Sequence, residues 1–190
     1  MLNNETIRII KQRRSVRNFE EKQISDEELT TIVEAGVYAP SGSGQIEEYT
    51  HFCVIQNKEI LDRINSISKE FATQTKIPHL IELGENVEFN CLYGAPTLII
   101  ISYNINWIQP ETDCAAVTQN MLLAAESIGL GGCWLYFPLQ AFMSGQEKEL
   151  LMELQIPEYY KPNQSIIIGY KKDKKIEKIR REVKNISIIK

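Results

Sequence analysis

The sequence predicts an α+β domain, on three observations. Two uninterrupted β-branched runs, PTLIIIS at 96–102 and SIIIGY at 165–170, have the pattern of strands covered on both faces. Several segments repeat apolar residues at helical rather than strand spacing. The length, 190 residues, suits one domain with a full core, and residues 1–190 contain no linker or internal repeat that would divide them.

Taken in order, residues 5–11 place Ile7, Ile9 and Ile10 among polar positions, a short helix that delivers arginines at its end. Ser25 and Glu28 form a capping box, and Leu29, Ile32, Val33 and Val37 continue as the apolar stripe of a helix over 26–37. Proline and glycine stop it in the loop APSGSG, 39–44. HFCVI at 51–55 reads as a strand and 58–68 as a helix with Ile60, Leu61, Ile64 and Ile67 on one face. Residues 71–90 show weak periodicity and two breakers, and are expected to form an irregular, lid-like segment. After the strand at 96–102 comes a long helix over 113–128, apolar on most sides and ended by Gly129. A strand at 133–137, a helix at 147–154 and the strand at 165–170 follow. The apolar end, 185–189, is strand-like with nothing after it to pack on, and needs a cover.

Composition excludes several classes. No apolar run approaches the roughly 18–20 residues of a membrane span, and the start, MLNNE, lacks a basic region before an apolar core, so a cytoplasmic, membrane-free protein is expected. The four cysteines are far apart and form no CxxC pair, which points to reduced buried thiols rather than zinc or a redox dithiol. Two histidines, His51 and His79, leave no metal motif and no catalytic triad. Net charge is −4, yet 171–184 carries eight basic against three acidic residues, too narrow a patch for nucleic acid but enough to serve a small anion.

Candidate chemistry is concentrated in RRSVRNF, 13–19. Three guanidinium forks, Arg13, Arg14 and Arg17, with the Ser15 hydroxyl make a dense array of phosphate-oxygen donors; the competing reading is a solvated helix end. The glycines of 129–132 follow a helix rather than a strand and lack the third glycine of a dinucleotide fingerprint, and APSGSG lacks the Gly-Lys-Ser/Thr of a P-loop.

In order and spacing, RRSVRNF, APSGSG, YGAPTLIIIS (93–102), ESIGLGGCW (126–134) and IPEYYKPNQSIIIGY (156–170) resemble the nitroreductase family of FMN-dependent oxidoreductases, over almost the full length. The resemblance implies a three-layer α/β/α fold with a mainly antiparallel central sheet. It also implies an intertwined homodimer with FMN at each subunit interface, the C-terminal segment reaching over the partner. By position, Arg13 and Ser15 would hold the FMN phosphate with Arg14 beside them, joined by Arg180 or Arg181. Arg17 would lie near the N1 and C2-carbonyl side of the ring. Pro40, Ser41 and Ser43 would approach from the partner chain, Gln45 would keep the loop's one amide contact, and Gly131 and Gly132 would bring backbone close to the ring. Family members often place Gln-Pro-Trp or Gln-Thr-Trp before the first strand; here Gly44 to Tyr49 reads as a longer loop without the tryptophan.

The activity implied is ping-pong NAD(P)H oxidation, with NADH or NADPH as reductant and an electron-poor small molecule, a nitroaromatic or quinone, as acceptor. Hydride passes through flavin N5, so no protein group is assigned a catalytic role and no metal is required. The alternatives are a flavoenzyme of the same superfamily acting on one metabolite, a non-catalytic FMN-binding or storage module, and a binder of another phosphorylated ligand.

Overall fold

In the computed structural model, residues 4–42, 44–145, 147–173 and 181–190 are described. The two long β-branched runs pair as expected at the centre of one sheet. Its strands are β1 (Thr50–Ile55), β2 (Thr97–Asn104), β3 (Gly131–Leu135) and β4 (Tyr160–Gly169), in the spatial order β1-β2-β4-β3. Every pairing is antiparallel.

Strand side chains alternate between faces, and the alternation builds two cores. Leu98 and Ile100 join Cys53, Ile55 and Ile167 on one face, packed on Leu61, Ile64 and Ile67 of α4 (Lys58–Gln74) and on a 3-10 segment, Phe137–Met143. Ile99 and Ile101 join Ile166 and Ile168 on the other, beneath Ile32 of α2 (Asp26–Val37) and Val117, Met121 and Leu122 of α6 (Pro110–Ser127). The three layers expected of the chain are therefore present. α2 begins as its capping box requires: Glu28 N–H donates to Ser25 Oγ at 3.2 Å, and Ser25 N–H donates to the Glu28 carboxylate at 2.8 Å.

Four expectations need correction. Residues 71–90 are largely helical rather than irregular throughout: α4 continues to Gln74 and α5 occupies Pro78–Glu85, leaving 75–77 and 86–90 without regular structure. Both apparent breakers serve helices. Pro78 sits in the first turn, where no amide hydrogen is missed. Gly84 is the contact between the two helices, since a Cβ there would lie 2.6 Å from the Lys69 carbonyl oxygen. The helix expected from 113 starts at Pro110 for the same first-turn reason. The long loop read before β1 contains a helical turn, α3 (Ile46–Tyr49), anchored by buried Ile46. Finally, 185–189 form no strand: residues 181–190 are irregular and exposed, and pair with no strand of the described residues.

Two short segments complete the elements, α1 (Glu5–Gln12) and α7 (Glu147–Glu153). Ile100 is fully buried between the sheet and α4. Ile100→Ala should cost about 2–5 kcal/mol of stability by urea denaturation, from lost burial and the cavity left behind. A loss below about 1 kcal/mol would mean that this face of the sheet is loosely packed.

Candidate functional site

α1 stops at Gln12 because Arg13 turns to extended dihedrals, φ −50° and ψ 135°. The chain then runs past the edge of β3 and the end of β4. Ser15 bridges Gly132, Val16 N–H donates to the Gly132 carbonyl at 3.1 Å, and Phe19 stands opposite Lys171. Lys172 N–H donates to the Asn18 carbonyl at 3.1 Å, and Glu20 N–H to the Tyr170 carbonyl at 3.0 Å.

Extended backbone sorts alternate residues to opposite sides. Val16 is buried, while Arg13, Ser15 and Arg17 form one row facing outward. Arg14 falls off that row, and its Nη1 donates to the Lys11, Gln12 and Arg13 carbonyls at 2.9, 3.3 and 2.7 Å, serving the end of α1.

The row passes beside Cys133, which is buried. The buried Cys133 thiol has a hydrogen bond with Ser15 and feels the charges of both Arg17 and Arg13. Burial pushes its pKa up, and these three neighbours pull against that rise, Arg17 most. Among the described residues neither Arg13 nor Arg17 is ion-paired with a carboxylate. The Arg17 guanidinium instead lies 5.7 Å from the centre of the Tyr93 ring. Such a donor set, two guanidinium groups flanking a hydroxyl, fits a phosphate or a flavin phosphate ester. The other three thiols are buried and free, with Cys53 pushed up to about 11 and Cys91 and Cys114 to about 12, by burial first.

Gly131 and Gly132 have a reason to be glycine within the chain itself. A Cβ on Gly131 would lie 2.9 Å from both Lys171 Cγ and Val16 Cγ2, and one on Gly132 would lie 2.8 Å from Leu122 Cδ2. They admit the arginine strap on one side and α6 on the other.

Pro40, Ser41 and Gln45 lie elsewhere. Their loop feeds α3 and β1 at the end of the sheet where Asn104 pairs with Tyr160, whereas the strap lies at the end where Thr97 pairs with Ile168. The two ends of β2 are about 23 Å apart at the usual strand rise. In the loop, Ser41 accepts from the Gly44 N–H, and Gln45 Nε2 donates to Glu48 at 3.0 Å. Gly42 lines a cavity of about 290 Å³ with Trp107, Ile108, Gln109 and Asp113. Trp107 stacks on Tyr49 at 3.8 Å and donates its indole N–H to Asp113. One chain thus unites Arg13, Ser15, Arg17, Gly131 and Gly132, but not these loop residues. Ser43 and Arg180 lie outside the described residues, and Arg181 is exposed.

Sequence reasoning missed Gln12, Glu126 and Lys171 beside the strap, linked by hydrogen bonds across its ends. The signal was a lone carboxylate in the apolar end of a long helix, AAESIG.

A family model described as "Nitroreductase family" matches residues 10–170. The chain belongs to the nitroreductase family. A relative from Archaeoglobus fulgidus, provisionally named an NADH dehydrogenase/NAD(P)H nitroreductase, is 34% identical over 173 residues, 90% of this chain and 88% of that one. Among solved structures, a nitroreductase with bound FMN from Bacteroides fragilis is similar at a TM-score of 0.89 and 34% identity, covering 99% of this chain and 100% of that one. A second FMN-bound nitroreductase, from Desulfitobacterium hafniense, gives 0.86 and 26%, with 98% and 100% covered. No helix among the described residues of this nitroreductase-family chain is long and apolar enough to cross a membrane.

Gly131→Ala tests the seating of the strap. The added methyl should displace Val16 or Lys171, lowering stability by about 1–3 kcal/mol. It should also speed hydrogen exchange of the Val16 amide. An unchanged Val16 exchange rate would show that the strap does not need Gly131.

Proposed function

We propose that this chain is an FMN-dependent NAD(P)H oxidoreductase that reduces an electron-poor small molecule, of nitroaromatic or quinone type. The observation carrying the proposal is the outward row of Arg13, Ser15 and Arg17, its positive charge uncompensated by a carboxylate among the described residues. FMN-bound relatives of the same fold support the choice of anion.

In this reading Arg13 and Ser15 hold the phosphate through charge-assisted hydrogen bonds. Arg17, steadied by the Tyr93 ring, supplies positive charge to the side of the ring that becomes negative on reduction. When bound, FMN supplies the N5 position through which hydride passes. The chain's residues bind, orient and tune charge; reductant and acceptor use the same site in turn.

The working unit is a homodimer. Its motive is the distance between the strap and the loop of Pro40, Ser41 and Gln45, which a second copy can close by bringing its loop to the first copy's strap. Among the described residues β1 also has no strand on its outer side, and a groove of about 450 Å³ runs along 51–57 and 153–155. The apolar 185–189 of a second copy suits that edge, where backbone groups await partners. Four buried free thiols suit a cytoplasmic setting.

Two experiments test this. Arg13→Ala removes a charge-assisted contact of roughly 1.5–3 kcal/mol and should weaken FMN binding by about ten-fold or more in a fluorescence titration. Unchanged affinity would take Arg13 off the phosphate. Deleting 185–190 should give a chain that runs as a monomer or aggregates in light-scattering chromatography and loses its yellow colour. A truncated chain that stays dimeric, yellow and equally stable would show the tail to be dispensable.

A further inference from the structure

Glu126 is the residue of the strap region whose placement the cofactor contacts above leave unexplained. It lies near the end of α6 with its side chain only 5% exposed, and its two oxygens are used separately. Oε1 accepts from Gln12 Nε2 at 3.2 Å, and Oε2 accepts from Lys171 Nζ at 2.8 Å. Gln12 is the residue before Arg13, and Lys171 stands opposite Phe19. One carboxylate therefore joins the two ends of the arginine strap, while the Val16–Gly132 hydrogen bond holds its middle.

A buried carboxylate is costly to desolvate, and a well-packed apolar residue often serves stability as well or better. An apolar side chain cannot set the distance between two named donors on separate segments. We propose that Glu126 is a positioning residue for the cofactor phosphate: by fixing Gln12 and Lys171 relative to each other, it sets the separation and aim of Arg13 and Ser15. The inference rests on the FMN reading above.

Positioning predicts a sign opposite to simple electrostatics. If Glu126 acted only as a negative charge near the cationic row, removing it would tighten binding of an anion. If it only held the fold together, its loss would weaken any flavin alike. A positioning role weakens FMN selectively, since riboflavin has the same ring and ribityl chain but no phosphate.

The test is fluorescence titration of the 190-residue chain, freed of flavin, with FMN and with riboflavin. Glu126→Ala should weaken FMN about ten-fold and leave riboflavin within about two-fold. Glu126→Gln, whose amide can accept from Lys171 and donate to the Gln12 oxygen, should recover most of the loss. In an Arg13→Ala background, Glu126→Ala should add less than about two-fold, because it acts through the same contact. Tighter or unchanged FMN binding, equal losses of FMN and riboflavin, or full additivity with Arg13→Ala would each overturn the proposal. Should Glu126→Ala not fold, Gln12→Leu carries the same test with no change of charge: it should reproduce the FMN-selective loss, and wild-type FMN affinity in that variant would overturn it. A wild-type chain that binds no FMN defeats the functional reading and this inference together. A wild type that binds FMN, with variants failing as above, defeats the inference alone.

Discussion

The hydrogen bond from Val16 N–H to the Gly132 carbonyl depends on the chain passing within contact distance of β3, and much of the candidate site depends on that bond in turn. With any side chain at Gly131, Val16 and the Lys171 stem could not both lie where they do. Seated there, the strap meets the outer edge of β3 at Gly132, buries Val16 and Phe19, and leaves Arg13, Ser15 and Arg17 outward beside Cys133.

This arrangement places cations over an apolar interior. The Cys133 thiol is buried beneath the row, and the surrounding β-branched side chains of β2 and β4 exclude water from below. The neighbouring Lys171 is neutralised by Glu126, whereas Arg13 and Arg17 keep their charge for something other than a carboxylate of the described residues.

Much of the architecture was legible because it rests on local rules. The fully buried runs of β2 and β4 announced a sheet covered on both faces, and Ser25 with Glu28 announced the start of α2. The α4–α5 pair was not, because Pro78 and Gly84 look like breaks until the helix geometry shows one in a first turn and the other at a helix contact. In the site, the arginine motif was visible, but the separate use of Arg14 was not, since it follows from the strap being extended. Glu126 and Lys171 are 45 residues apart, and a pairing at that range leaves no periodic trace. Pro40, Ser41 and Gln45 carried no mark in the sequence that they sit at the opposite end of the sheet.

The extended form of the strap also makes its function a matter of parity. Arg13, Ser15 and Arg17 share a side because they are two apart, and buried Val16 occupies the alternate side. Inserting or deleting one residue between Arg13 and Arg17, the stretch over which the alternation holds before Phe19 turns inward, would exchange the two rows for part of the segment, turning arginine toward the apolar interior and valine toward water. An insertion of two would preserve the alternation and ask only for a bulge. Along this stretch, odd and even changes of length are different kinds of change, and substitution is the gentler route by which the segment can vary.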